Sequence, residues 1–279
     1  MAIRIDGKAL AAKVKAQVKE EVATLTRKPG LAVILVGDNP ASQVYVRGKE
    51  ADCAECDIIS FPYRLSAETS QEELLALVRE LNENPEVDGI LCQLPLPKGL
   101  DEEMVINTIA PDKDVDCFHP FNVGRMVIGE PIFLPCTPAG VMEMLKEYEI
   151  SIRGKRCVVL GRSTIVGKPM AMLLTQADGT VTTCHSRTEN LAEITRGADI
   201  LVSAVGKTRC ITADMVKEGA VVIDVAMNRD ENGKLCGDVD FAAVEPKCSY
   251  ITPVPGGVGP MIRALLMRNI LTAAQNHQK

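Results

Sequence analysis

Short apolar runs, each long enough for one buried strand, alternate along this chain with stretches whose apolar residues recur at helical spacing. That alternation constrains the fold more than any other feature. In the first half, residues 31–36, 58–63 and 87–92 read as strands. Residues 8–27 place Leu10, Val14, Val18, Val22 and Leu25 on one face with lysines between them, so an amphipathic helix is expected, ended by Pro29-Gly30. Asp38-Asn39-Pro40 opens a second helix over 41–56, with Pro40 suited to its first turn. Ser70-x-x-Glu73 is a capping box for a third helix running to about Asn82, and a short helix is expected at 102–109. An order of this kind implies an α/β fold, a parallel sheet with helices on its faces. Ligands of such sheets collect at the carboxyl ends of the strands, where Gln93-Leu94-Pro95-Leu96-Pro97 falls.

After a connection rich in Gly, Pro and Phe at 118–135, a helix starts near Pro138 and the alternation resumes. Strands are expected at 157–160, 180–184, 199–204 and 220–224, with helices between the first three. This second half is built on one junction. The strand Cys157-Val158-Val159-Leu160 runs into Gly161-Arg162-Ser163-Thr164-Ile165-Val166-Gly167-Lys168-Pro169, a strand–turn–helix arrangement that can hold a nucleotide phosphate. Two glycines six apart also occur in ordinary βα turns, so the pattern alone does not name a cofactor. In units that bind NAD, an acidic residue about 20 positions past the first glycine grips the ribose 2′-hydroxyl. Here the corresponding strand ends in His185-Ser186-Arg187, with no carboxylate. Ser186, Arg187 and Arg162 offer the hydroxyl and guanidinium donors that suit a 2′-phosphate, which favours NADP.

Composition removes other classes. The net charge of −6 argues against nonspecific binding to nucleic acid or to anionic membranes. No apolar run has the length of a membrane span, and the first residues, Met1-Ala2-Ile3-Arg4-Ile5-Asp6, carry charges where a secretory signal needs an apolar stretch. The 10 cysteines then read as reduced thiols of a cytoplasmic protein. Cys53 and Cys56 form a C-x-x-C on the second helix without a second pair or a nearby histidine, so no metal site is expected.

Tyr45 and Lys49, four apart, share one face of the second helix, which opens beside a ligand-collecting strand end. A lysine serves as a base only when its surroundings lower its pKa, and the neutral amide of Gln93 is a partner compatible with that. Further motifs follow in order: Ser42-Gln43-Val44-Tyr45-Val46, Lys113-Asp114-Val115-Asp116, Pro135-Cys136-Thr137-Pro138, Cys184-His185-Ser186-Arg187-Thr188, and Thr252-Pro253-Val254-Pro255-Gly256-Gly257-Val258-Gly259-Pro260. Together with the glycine turn and the Gln93 loop, this set resembles the bifunctional methylenetetrahydrofolate dehydrogenase/methenyltetrahydrofolate cyclohydrolase family, known in bacteria as FolD.

The resemblance spans the chain and implies two domains with a cleft between them. Residues 1–120, completed by a C-terminal helix at 258–279, would form a folate-binding catalytic domain, and 121–257 a Rossmann-type NADP-binding domain. It implies tetrahydrofolate derivatives as substrates and a homodimer formed through the Rossmann-type domain. By the same resemblance, Lys49 is the central catalytic residue, Gln93 bonds it, Tyr45 packs along the substrate, and Asp116 accepts hydrogen bonds from the pterin. Pro255 and Gly256 would line the folate pocket, and Gly161, Arg162, Ser163, Ser186, Arg187 and Met227 would hold NADP. Three positions depart from the family pattern: Cys117 where a glycine is usual, Ala226-Met227 where Gly-Ile is usual, and Ile262 where a threonine is usual. Ala226 would be strained if its backbone required a positive φ.

Overall fold

The computed structural model describes residues 2–279. In chain order the elements are β1 (Ile3–Arg4), α1 (Gly7–Val22), β2 (Gly30–Val36), α2 (Pro40–Glu55), β3 (Ile59–Leu65), α3 (Gln71–Glu83), β4 (Gly89–Cys92), α4 (Glu102–Thr108), α5 (Pro120–Val127), α6 (Cys136–Glu147), β5 (Arg156–Leu160), α7 (Gly167–Gln176), β6 (Thr180–Cys184), α8 (Leu191–Arg196), β7 (Ile200–Ser203), β8 (Ala220–Asp224), β9 (Asn228–Arg229), β10 (Leu235–Cys236), α9 (Phe241–Val244), β11 (Cys248–Ile251) and α10 (Val258–His277).

The chain divides into two compact units. One contains Ala12–Leu134 with Arg263–Lys279, and the other the N-terminal segment through Ala11 with Pro135–Ile262. These limits differ from those expected. The N-terminal segment joins the second unit because β1 pairs in parallel with β11, Ile3 opposite Tyr250 and Arg4 opposite Ile251. Residues 121–134 stay with the first, where Leu134 O accepts a hydrogen bond from Asn269 Nδ2 (2.9 Å) on α10. The expected loop at 118–135 contains α5, whose start is fixed by His119 Nδ1 accepting from the Phe121 N–H (3.0 Å) and by Pro120 in its first turn.

The unit that contains Ala12–Leu134 holds a three-stranded parallel sheet in the order β3-β2-β4. β2 is buried along its whole length. Ile34, Val36 and Ile90 on the sheet pack with Leu74, Val78 and Leu81 of α3. The capping box of α3 forms as expected, with Ser70 Oγ accepting from Glu73 N (3.2 Å) while the Ser70 N–H donates to Glu73 Oε2 (2.8 Å).

The other unit holds a six-stranded, all-parallel sheet in the order β1-β11-β8-β7-β5-β6. Its core is formed by Val158, Leu160, Leu201, Val222 and Ile251. Only β6 lies on one side of β5, and the chain then crosses to the other side to lay down β7, β8 and β11. The strand order therefore reverses between β5 and β7, which in an open α/β sheet opens a crevice at the strands' carboxyl ends.

Candidate active site

In the unit built on β2, Gln93 directly follows β4 and continues its ladder, donating its backbone N–H to Ile34 O (2.9 Å). The Gln93 amide is held at both ends. Its Nε2 donates to Leu94 O (2.7 Å), which turns its Oε1 toward α2, where it accepts from Lys49 Nζ (3.1 Å). The lysine thus has a neutral oxygen as partner, as the sequence suggested. Tyr45 stands one turn earlier on the same helix and is 44% exposed.

Asp116 comes to this place through a braced loop. The Ile90 N–H donates to Lys113 O (2.8 Å), so residues 113–115 run beside β4. A Cβ at Gly89 would lie only 2.7 Å from Val115 Cγ1, so glycine is what lets the loop lie so close. Lys113 buries its ammonium against Leu81 O (3.1 Å) and Asn84 O (2.8 Å), and burial lowers its pKa. Asp114 accepts from the backbone N–H groups of Phe118 (3.2 Å) and His119 (2.9 Å) and from Asn122 Nδ2 (2.9 Å). Desolvation outweighs those bonds and raises its pKa to about 6. From α10, Asn269 Nδ2 donates to Val115 O (2.8 Å).

So presented, Asp116 has its pKa raised by desolvation, while the positive charge of Lys49 pulls it down. Burial pushes the neighbouring Cys92 thiol up to about 12, with the Asp116 charge adding to the effect. Cys117 adopts a left-handed backbone, φ 61°, and its buried thiol donates to Phe133 O (3.3 Å). This is the conformation a glycine would take without penalty. Cys53 on α2 and Cys56, just past its end, are buried thiols, pushed to about 12 and about 11, each chiefly by desolvation.

In the other unit the glycine turn lies at the reversal of strand order. Gly161 has φ 113°, and a Cβ there would overlap the carbonyl oxygen of Ala204, which follows β7. A Cβ at Gly167 would overlap the carbonyl oxygen of Gly161. Both glycines keep open the close backbone approach that a phosphate cradle needs, so the residues present fit a dinucleotide. Ser163 Oγ accepts from the N–H groups of Val166 (3.2 Å) and Gly167 (3.3 Å), shaping the turn that leads into α7.

The Gly161 N–H donates to Cys184 O (2.9 Å), which draws the end of β6 against the turn. Beyond it, residues 185–188 close on themselves: the His185 N–H donates to Thr188 Oγ1 (2.8 Å) and the Thr188 N–H to His185 O (2.9 Å). Ser186 and Arg187 are left exposed at the tip, and Arg162 is exposed on the glycine turn.

Met227 is 44% exposed and lies against Gly259, whose Cβ would sit 3.4 Å from its Sδ. Ala226 is buried, does not take a positive φ, and donates its N–H to Asp224 Oδ1 (3.1 Å), so the expected strain is not present. Pro255 follows a cis peptide and is exposed, and Gly256 has φ 104°. The structure thus brings Lys49, Gln93 and Asp116 together, with Tyr45 on the same helix. Gly161, Arg162, Ser163, Ser186, Arg187, Met227, Pro255 and Gly256 belong to the other unit.

Asp114, Asn122 and Asn269, which hold the Asp116 loop, do not emerge from the sequence reading. For Asn269 a signal was present, because it interrupts the apolar run of Leu265, Leu266, Ile270 and Leu271. A buried amide among aliphatic residues needs partners.

A doubly wound unit with a glycine cradle at its switch point, in one chain with an α/β unit that presents a lysine, an amide and a carboxylate, defines a dinucleotide-dependent dehydrogenase class. Within that class the chain belongs to the tetrahydrofolate dehydrogenase/cyclohydrolase family. The catalytic-domain profile of the family matches residues 5–116, and the profile of its NAD(P)-binding domain matches residues 135–278. The chain is 59% identical over 278 residues to the bifunctional protein FolD of Campylobacter hominis, covering 99% of this chain and 98% of that one. Its fold matches the crystal structure of the bifunctional FolD dehydrogenase/cyclohydrolase from Campylobacter jejuni with a TM-score of 0.97 at 50% identity, over 99% of both chains. It also matches the Trypanosoma brucei enzyme, solved with NADP cofactor and inhibitor, with a TM-score of 0.94 at 42% identity over 99% of this chain and 98% of that one. The chain is an enzyme of this bifunctional family.

Proposed function

We propose that the chain oxidises 5,10-methylenetetrahydrofolate with NADP and hydrolyses the resulting 5,10-methenyltetrahydrofolate to 10-formyltetrahydrofolate. The observation that carries this reading is the 3.1 Å bond from Lys49 Nζ to the Gln93 amide oxygen, on the loop side where Asp116 is presented. NADP, when bound, supplies the acceptor for the hydride that leaves the methylene carbon with its electron pair. Placing the two reactants does most of the work of that step, which needs little acid–base help.

Hydrolysis makes a different demand. Water adds to the methenyl carbon and loses a proton. The bond from that carbon to N5 then breaks as the hydroxyl gives up its own proton to become the formyl carbonyl, and N5 takes up one proton, so that one proton is released overall. Lys49 is assigned that proton traffic, and the Gln93 amide oxygen orients its Nζ (3.1 Å). Asp116 is assigned the N–H donors of the pterin and Tyr45 the flank of the folate, and Pro255 and Gly256 are assigned to substrate binding as well. Gly161, Arg162, Ser163, Ser186, Arg187 and Met227 are assigned to NADP. The absence of a carboxylate from the His185-Ser186-Arg187 end of β6 and the exposed guanidiniums of Arg162 and Arg187 support NADP over NAD.

No helix among the described residues is long and apolar enough to cross a membrane, and we place the enzyme in the cytoplasm, without nucleic-acid or membrane partners. We also read it as a homodimer through the dinucleotide-binding unit, where β6 is an edge strand of the sheet among the described residues. Sedimentation at micromolar concentration measures that state, and a monomer rejects it. Replacing Lys49 tests the chemical assignment. Lys49→Met is expected to abolish hydrolysis of methenyltetrahydrofolate while NADP still binds, and wild-type hydrolysis by the variant would refute the role given to Lys49.

A further inference from the structure

Asp238 lies on a segment that no expected site residue occupies, yet it is fully buried and every direction of its carboxylate is used. Oδ2 accepts from Ser203 Oγ (2.8 Å) and from the Val205 N–H (2.9 Å). Oδ1 accepts from the Lys207 N–H (2.7 Å) and from Asn228 Nδ2 (3.0 Å). Those four donors belong to two strand ends. Ser203 closes β7, Val205 and Lys207 form the loop after it, and Asn228 follows Met227 beyond the end of β8.

The segment carrying Asp238 is itself pinned to β8. Asp224 Oδ1 accepts from the Asp238 N–H (3.1 Å), and its Oδ2 accepts from the Val239 N–H (2.8 Å). A Cβ at Gly237 would overlap the Asp224 carboxylate, so only glycine lets the chain pass this close. On the other side, the Ile211 N–H donates to Asp238 O (2.9 Å).

The loop held by Asp238 forms one wall of the crevice at the switch point, since Ala204, between Ser203 and Val205, supplies the carbonyl that faces Gly161. With the 2′-phosphate donors at the end of β6 and the pyrophosphate turn after β5, the ends of β7 and β8 remain for the nicotinamide half. We propose that Asp238 is the positioning residue of this wall, holding residues 204–207 and 227–228 in the arrangement that accepts NADP, without touching the ligand. This rests on the reading of the unit as an NADP site. A carboxylate is required because it offers four acceptor directions to four donors. An asparagine would turn an NH2 group toward two of them.

The two reactions of the enzyme separate this role from a merely structural one, because hydrolysis of methenyltetrahydrofolate consumes no NADP. Asp238→Asn is expected to raise the NADP Kd, measured by titration calorimetry, and the KM for NADP by about tenfold or more, with cyclohydrolase kcat within about twofold of wild type. Amide hydrogen exchange is expected to quicken at 204–208 and 226–229, with the amides of the six-stranded sheet unchanged. An unaltered Kd and exchange pattern in the variant overturns the proposal, and so does parallel loss of both activities with loss of cooperative unfolding. Should Asp238→Asn not fold, the double variant Ser203→Ala, Asn228→Ala removes one donor from each oxygen. It is expected to weaken NADP three- to tenfold, and wild-type affinity in it overturns the proposal. A wild-type enzyme that binds no NADP would instead refute the cofactor reading itself.

Discussion

The helix that carries Tyr45 and Lys49 is held by a contact that can be tested by a double-mutant cycle. Gly48, in the interior of α2, is where the side chain of Arg263 crosses the helix. A Cβ there would overlap Nη1 and lie 3.4 Å from Cζ and 3.6 Å from Cδ. Having crossed, Arg263 pairs its Nε with Oδ2 of Asp52 (3.1 Å), while Lys15 Nζ bonds the other oxygen (2.9 Å). An interior Gly→Ala change in a helix ordinarily stabilises by about 1 kcal/mol. Here the added methyl displaces Arg263 and leaves the buried Asp52 with one cationic partner. Because the Arg263 side chain is 40% exposed, the lost pair is worth only about 1 kcal/mol, so the two effects cancel. Gly48→Ala alone is therefore expected to leave the urea midpoint almost unchanged. In an Arg263→Ala background the same substitution is expected to stabilise by about 1 kcal/mol, which is the coupling energy of the cycle. Equal stabilisation in both backgrounds would refute the crossing as the reason for glycine.

Three further outcomes follow from the same geometry. Arg162→Ala is expected to weaken NADP by at least tenfold and NAD by less than threefold in direct titrations, and equal losses would reject Arg162 as a donor to the 2′-phosphate. Asp224 is raised to about 6, because burial and the adjacent Asp238 charge outweigh three backbone donors, so its neutral form is favoured in the folded state. Its contribution is thus fully present below the ordinary carboxylate pKa and is lost as pH rises through about 6. The stability advantage of wild type over Asp224→Asn is expected to shrink by about 2 kcal/mol between pH 4.5 and 7.5 in urea titrations, and a constant difference would contradict the raised pKa. At Cys117 the left-handed backbone favours glycine over alanine, so Cys117→Gly is expected to be more stable than Cys117→Ala by about 1 kcal/mol in the same assay. Equal or reversed stabilities would mean that the penalty for a side chain at this φ is not expressed.

Local pattern alone was enough to locate most elements. The β-branched and aliphatic runs at β2, β5 and β8, the capping box at Ser70 and the proline in the first turn of α2 act over a few residues, so their physics is written in adjacent letters. The same holds for the glycine turn, and for the Tyr45–Lys49 spacing that puts both side chains on one helix face. The motifs also carried the family resemblance, and with it the expectation that Gln93 would meet Lys49.

What the sequence could not disclose depends on groups far apart in the chain. β1 is two residues long and becomes a strand only because β11, some 250 residues later, offers a parallel partner. Without that pairing the N-terminal segment reads as part of the first unit. The 118–135 region hid α5 because its helix is short and its fixing contacts, through His119 and Asn122, become visible only when folded. Asp238 and Asn269 looked like ordinary polar residues, and each gains its role from donors or acceptors that the fold gathers from separate segments. A buried carboxylate or amide is tolerated only when its partners arrive. The tertiary structure alone decides which partners those are.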